Sequence, residues 1–552
     1  MSKIDGGHLI AEMLAREGVR YVFSVSGGVL NPLYNACPDA GIQIVHTRHE
    51  AAATYMADAW ARTTGQPGVC AVTLGPGATN TMTGIMTAYR GVSPILVLAG
   101  QSGQTTRDLE PGMSIDPLPM MYPITKWART VPSAARIPEY IAAAYRHATT
   151  GRPGPVFLEF PSEVLHDAVN RDVDYPLPET SRSSARPYPD TKLMAMAVSL
   201  LEKSERPIVL AGSGVWWSGA SAALRSLVEK ASLPFFLARG ARGAVSEDHP
   251  LYFGPAYLPA NPVLEAAFHS CDLVLTLGHR LDFDLGFGRP PSLASSARVI
   301  QVDIEAAEMG RYRPVDVGLV ADARVAIEAL ARSIGSKKTP SDWLSTLETA
   351  RGQWLAEMTA ATSLEGNPMH PLRFVKEIAA GLPREAILVT GHGNVDFWAD
   401  EYLRVFYPGH YLRAGQSGVM GAEIPYGVAA KLAHPDQPVV VMVGDGAFAY
   451  HCMELDTAAR YNAPLVIAIG NDSCWGAIAL PQERIYGRRV ELDLPFRNYE
   501  RIADIFGGQG ELVKLPEEVT PALRRALESR KPSVLNVLIK SVESRYIHEI
   551  SR

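Results

Sequence analysis

The stretch Val439–Gly476, VVVMVGDGAFAYHCMELDTAARYNAPLVIAIGNDSCWG, decides how the rest of the chain is read. It opens with the apolar run Val439–Val443, the pattern of a strand buried on both faces of a parallel sheet. The run stops at Gly444-Asp445-Gly446. Apolar residues at helical spacing then predict a helix from Phe448 to Arg460, and Pro464–Ile469 reads as a second buried strand ending at Gly470-Asn471-Asp472. Open α/β sheets bind ligands outside the carboxyl ends of their strands, where both aspartates fall. Two carboxylates one crossover apart can reach a single cation, and neighbouring glycines let backbone N–H groups approach an anion. That chemistry suits magnesium holding a diphosphate. GDG alone is a short motif that ordinary parallel sheets also carry, with solvated loop carboxylates, so the rest of the chain has to decide.

The remaining sequence repeats the β-α alternation. Tyr21–Val25, Ile42–His46, Gly68–Thr73 and Pro94–Ala99 read as strands, separated by amphipathic or alanine-rich helical stretches such as Asp5–Glu17 and Ala51–Arg62. Pro207–Ala211, Leu273–Leu277 and Arg298–Val302 continue the pattern, as does Ala386–Thr390, which runs into Gly391-His392-Gly393-Asn394 before a helix. The expected fold is α/β, with three doubly wound parallel-sheet domains. We place them at 1–165, 189–335 and 365–552, with a polar, Pro- and Ser-bearing linker at 166–188 and a helical connector at 336–364.

Composition narrows the function classes. The chain has 552 residues, 47% hydrophobic and 20% charged, with a net charge of −6 and no basic block, which argues against nucleic acid as a partner. No apolar run reaches the length of a membrane span and no secretory leader is evident, so the expected compartment is the cytoplasm. Five scattered cysteines form no CxxC pair and read as buried thiols.

Motifs along the chain resemble one family. VFSVSGG, TRHEAAA, LGPGATN and PITKWA occur in the order found in acetolactate synthase, benzaldehyde lyase and 2-hydroxyacyl-CoA lyase. GDG followed by Asn-Asp resembles the GDG…NN fingerprint of thiamin-diphosphate enzymes. The resemblance implies three domains: pyrimidine-binding, central and diphosphate-binding. It implies that Glu50, otherwise an ordinary carboxylate in a helix's first turn, is the catalytic group that bonds a pyrimidine nitrogen and relays its proton.

By the same match, Gly393, Asn394, Gly444, Asp445, Gly446, Ala447, Asp472, Cys474 and Trp475 hold the cofactor. Asp445 and Asp472 are the side-chain ligands of magnesium, and Cys474 adds its backbone carbonyl. The carbonyl of Gly418 accepts a bond from the pyrimidine amino group, and Met420, by itself a core gap-filler, bends the cofactor. The substrate pocket falls to Gly28, Val29, Gln101, Ala477, Leu480 and Pro481. Glu491 reads as a lid carboxylate or as a solvated loop charge.

Three departures from the family pattern stand out. Asp472 occupies the place of the usual second Asn, so metal and cofactor binding should depend on each other. Val29 replaces a histidine of benzaldehyde lyase. Pro111–Asp116 has no counterpart of the family's glutamine. GHRLDFDLGFG…VIQVDIEAAEMGR resembles the central domain of the hydroxyacyl-CoA lyase branch; Gly212-Ser213-Gly214 is too short a motif to assign a flavin there.

The expected activity is a carbon–carbon lyase or carboligase of 2-hydroxyacyl-CoA lyase type, joining or cleaving a 2-hydroxyacyl unit and an aldehyde or ketone. The alternatives are an acetolactate-synthase-like carboligase or decarboxylase of 2-oxo acids, and a catalytically silent cofactor-binding subunit. The family's site lies between subunits, so a homodimer or homotetramer is expected.

Overall fold

The structure, a computed structural model, describes residues 3–170, 181–336, 338–364 and 366–550. Residues 171–180 of the expected linker lie outside the described residues. The chain divides into two compact units. One comprises 1–184 with 414–435 and 451–463; the other comprises 185–413 with 436–450 and 464–552.

The first unit is built on a six-stranded parallel sheet. Its strands are β1 (Tyr21–Val25), β2 (Gln43–His46), β3 (Gly68–Val72), β4 (Ile95–Gln101), β5 (Trp127–Thr130) and β6 (Val156–Pro161), in the spatial order β2-β1-β3-β4-β6-β5. Every residue of β3, β4 and β6 is buried, as expected of largely apolar strands covered on both faces, and the polar Gln101 and Glu159 among them bond each other. A two-residue antiparallel pairing, Lys3–Ile4 with Val169–Asn170, ties the start of the chain to the end of this segment.

Segments 414–435 and 451–463 belong to this unit, although no local pattern announces it. Helix Glu423–Ala433 lies against helix Glu50–Thr64. There the hydroxyl of Tyr426 donates to Asp58, whose other oxygen takes the Arg62 Nε at 2.7 Å. Asp58 and Tyr426 have no exposed surface.

The second unit holds two more six-stranded parallel sheets. The central one consists of β7 (Pro207–Ala211), β8 (Phe235–Leu237), β9 (Tyr252–Pro255), β10 (Leu273–Leu277), β11 (Arg298–Asp303) and β12 (Val317–Val320), ordered β9-β8-β7-β10-β11-β12. The other consists of β13 (Ile387–Val389), β14 (Tyr411–Leu412), β15 (Val439–Gly444), β16 (Val466–Asn471), β17 (Gln509–Val513) and β18 (Ser533–Leu538), ordered β14-β13-β15-β16-β18-β17. The first and third sheets thus share one topology, and the central sheet has the dinucleotide-fold order. The expected fold, doubly wound α/β with three parallel sheets, is the one observed.

One local expectation needed correction. The helix expected from Phe448 to Arg460 is two helices, Asp445–His451 and Glu454–Arg460, the first of which starts at the aspartate itself. Gly446 is needed there because a Cβ would stand 2.6 Å from the Trp475 ring. In the central sheet, a Cβ on Gly214 would stand 2.6 Å from Gly278 and one on Gly212 2.5 Å from His279, so GSG answers to the close approach of two turns.

Candidate active site

In doubly wound sheets the binding crevice opens where the strand order reverses. In the third sheet that point lies between β13 and β15, whose carboxyl ends lead to Gly391–Asn394 and to Asp445. Asp445 is 1% exposed, and its Oδ2 has no hydrogen-bond partner among the described residues. Burial, and then the charge of Asp472, push its carboxyl up to about 7. Burial raises Asp472 as well. A buried, under-bonded carboxylate beside a second one is costly without a cation between them.

The loop after β16 is shaped to present Asp472. Ser473 takes a left-handed φ of 52°, and Asn471 Oδ1 accepts from the Ser473 N–H at 3.1 Å. Asn471 Nδ2 donates to Asn536 at 3.0 Å, so this asparagine serves the turn. Among the described residues no three His, Cys, Asp or Glu side chains form a metal cage. Magnesium is commonly held by one or two carboxylates with substrate phosphates, which fits this donor set.

The last part of the chain closes over these residues. Ser541 Oγ donates to Asp472 Oδ2 at 3.1 Å and lies 3.1 Å from Cys474 Sγ. Asn394 Nδ2 donates to the Val542 carbonyl at 2.6 Å, and its Oδ1 accepts from the Ser544 N–H at 2.9 Å. The Tyr546 ring stacks on Phe397 at 4.1 Å, and its hydroxyl donates to Asp284 at 3.0 Å. Sequence reading missed Ser541 and Ser544. Their only signal is spatial, since they lie far along the chain from the residues they hold.

In the turn after β13, Asp396 accepts from the N–H groups of Gly391 and Gly393, both at 2.8 Å. Gly444 closes β15 and Ala447 is buried. Trp475 and Cys474 follow Ser473, Cys474 being 4% exposed. Ala477 packs on the cluster containing Phe397 and Tyr546. Leu480 and Pro481 lie on helix Gly476–Tyr486, Pro481 buried. Glu491 is exposed with a φ of 53°, while nearby Arg489 pairs with Glu483 at 2.8 Å and Asp493 at 3.0 Å.

The other candidate residues gather in the first unit. Glu50 is the first residue of helix Glu50–Thr64, capped by His49, whose Nδ1 accepts from the Ala51 N–H at 3.0 Å. Glu50 Oε2 accepts from Asn80 Nδ2 at 3.0 Å, a partner that sequence reading did not single out although it ends the GPGATN motif. Gly75 in that motif has a φ of 58° and would place a Cβ 2.1 Å from the Met113 carbonyl. Gly28 is exposed, and Val29 packs against Gly100. Gln101 is 1% exposed, with its Nε2 donating to Glu159 and to the Ile115 carbonyl, each at 2.9 Å. Gly418, at a φ of 68°, is exposed, and Met420 is half-buried.

Three parallel sheets, a buried Asp445 whose carboxyl is raised by burial and by Asp472, and a glutamate at a helix start suit a cofactor-binding α/β enzyme. Family models for the thiamine pyrophosphate enzymes match residues 4–119 (N-terminal TPP binding domain), 194–330 (central domain) and 391–537 (C-terminal TPP binding domain). The chain belongs to this family: it is a thiamin-diphosphate-dependent enzyme of carbon–carbon bond chemistry, with magnesium as the accompanying ion.

The chain is similar to the acetolactate synthase large subunit IlvG of Mycobacterium tuberculosis, 35% identical over 97% of this chain and 96% of that protein. It is likewise similar to 2-hydroxyacyl-CoA lyase of Oryza sativa subsp. japonica (30% identical, 97% and 96% covered). To 2-hydroxyacyl-CoA lyase 2 of Bos taurus it is 31% identical, with 99% and 92% covered. No helix among the described residues is long and apolar enough to cross a membrane.

Proposed function

We propose that the enzyme is a carboligase of acetolactate-synthase type, which decarboxylates a 2-oxo acid and joins the remaining fragment to a second carbonyl compound. The supporting observation is the 35% identity to acetolactate synthases along 97% of the chain. The 2-hydroxyacyl-CoA lyase reading is kept beside it, favoured by relatives of that name at 30–31% identity.

When bound, thiamin diphosphate supplies an electron sink that lets a carbonyl carbon react as a nucleophile. The protein's tasks are to hold, orient and move protons. On this reading Asp445, Asp472 and the Cys474 carbonyl hold magnesium, while Gly393, Asn394, Gly444, Gly446, Ala447 and Trp475 cradle the diphosphate. Ser541 fixes the rotamer of Asp472. Glu50 holds a proton at the pyrimidine nitrogen, oriented by Asn80. Gly418 and Met420 position the pyrimidine; Gly28, Val29, Gln101, Ala477, Leu480 and Pro481 line the pocket, with Glu491 on its lid.

The domains at 1–165, 189–335 and 365–552 are the pyrimidine-binding, central and diphosphate-binding parts. The protein works in the cytoplasm as a homodimer or homotetramer with sites between subunits. Two assays separate the activities: carbon dioxide release from pyruvate with and without an acceptor carbonyl, and condensation of an aldehyde with formyl-CoA. Turnover only in the second overturns the proposal in favour of the lyase. Sedimentation showing an active monomer overturns the shared site.

A further inference from the structure

Glu159 is a buried carboxylate with no part in the proposed chemistry. It lies on β6, opposite Ala99 of β4 and Thr130 of β5, with no exposed surface. Its Oε2 accepts from Gln101 Nε2 at 2.9 Å, and its Oε1 accepts from the Thr130 hydroxyl at 2.5 Å and from Arg107 Nη2 at 3.3 Å. A carboxylate on a strand covered on both faces costs desolvation that an apolar residue would avoid, so its partners indicate what it is for.

Apart from Thr130, those partners belong to the segment that leaves β4, residues 101–116. Arg107 continues to Asp116 Oδ1 at 3.2 Å, so one guanidinium ties the sheet to the middle and the end of the segment. Gln101 has no donor left for a substrate. Its second amide hydrogen goes to the Ile115 carbonyl at 2.9 Å, and its Oε1 accepts from the Ser102 N–H at 2.8 Å. Turned the other way, the amide would set its oxygen against the carboxylate. The hydroxyls of Ser102 and Ser114 meet at 2.7 Å.

The segment lies beyond the carboxyl end of β4, the ligand side of a parallel sheet. Its Met113 carbonyl fills the space that a Cβ on Gly75 would need, 2.1 Å away, in the motif whose Asn80 bonds Glu50. Glu110 and Met113 hold left-handed φ angles of 51° and 66°, which residues with a side chain keep only where the surroundings impose them. Leu109, Met113 and Ile115 form the apolar surface left exposed.

We propose that Glu159 is a positioning residue for the substrate pocket. Through Gln101 and Arg107 it fixes segment 101–116 as a rigid wall against the Gly75 turn, and Gln101 serves as a strut rather than as a hydrogen-bond donor to substrate. This rests on the reading of the first unit as the part that carries Glu50 and the pocket. An enzyme whose wall is formed in only a fraction of its molecules binds substrate more weakly by that fraction.

The test compares the full-length enzyme, loaded with thiamin diphosphate and magnesium, with Glu159→Gln, which keeps the shape but removes the charge and sets a donor against donors. Amide hydrogen exchange read by mass spectrometry should speed up in 101–116 while the rest of the first sheet keeps its protection. KM for the carbonyl substrates should rise by about tenfold, the equivalent of one charge-assisted hydrogen bond, with a much smaller change in kcat and unchanged cofactor affinity. Arg107→Ala, at a partly exposed residue, should do the same, and Arg107→Lys should recover part of the loss. If Glu159→Gln does not fold, the two Arg107 variants decide alone. A lower unfolding temperature with KM and segment exchange unchanged would mark a purely structural carboxylate and overturn the proposal, as would a loss confined to kcat. The kinetics use pyruvate with an acceptor carbonyl, or an aldehyde with formyl-CoA if the wild type turns over only that pair. That result would refute the carboligase reading and leave this comparison intact.

Discussion

On the proposed assignment, in which Asp445 and Asp472 hold magnesium, binding of the metal is a proton-coupled event. In the metal-free protein, burial and then Asp472 hold the Asp445 carboxyl up at about 7. A cation requires it ionised, so binding must release that proton. With a folded value near 7, about nine-tenths of the molecules carry the proton at pH 6 and about one-tenth at pH 8. Magnesium affinity at saturating thiamin diphosphate should therefore fall about tenfold from pH 8 to pH 6, or about 1.4 kcal/mol.

Isothermal titration at both pH values, in buffers of different ionisation enthalpy, counts the protons directly. The comparison is Asp472→Asn, which removes the second-largest cause of the shift and cancels the titration of the cofactor itself. The variant should show a shallower pH dependence and release fewer protons at pH 6. Equal slopes in the two proteins would refute the coupling. A related measurement, wild-type cofactor affinity with and without magnesium, should show strong dependence on the metal, because two carboxylates otherwise face the diphosphate.

Three further outcomes follow from the geometry. Glu50→Gln should keep cofactor affinity but lower turnover by about 10²–10⁴-fold, the span of a positioned proton-transfer group; Asn80→Ala, which frees Glu50 Oε2, should lose less and shift the pH–rate profile. Ser541→Ala should weaken magnesium by about 10–100-fold, as removal of a hydrogen bond to a metal ligand does; a metal titration checks it. Asp58→Ala strips the partner from the mostly buried Arg62 and from the Tyr426 hydroxyl, so denaturant unfolding should register a loss of about 3–5 kcal/mol.

Much of the fold was legible because buried parallel strands write themselves as continuous apolar runs. Tyr21–Val25, Pro207–Ala211 and Leu273–Leu277 have in the structure the bounds their sequences suggest. Helix ends were less legible. The expected Phe448–Arg460 helix ignored a break at Cys452–Met453 and an N-terminus set by the approach of Trp475 to Gly446. Asp445 and Asp472 stood out because short glycine-bearing turns after strands leave few residues able to face a ligand.

The sequence by itself determined the β-α alternation, the carboxylates at strand ends and the family, since each is encoded in contiguous residues or in a fixed spacing. Tertiary structure alone decided that Ser541, Val542 and Ser544 lash the end of the chain to Asp472 and Asn394. It also decided that Asn80 holds Glu50, and that Tyr426 reaches back to Asp58. These are hydrogen bonds between residues from 30 to 368 positions apart, for which chain order carries no local signal and only packing supplies the partner.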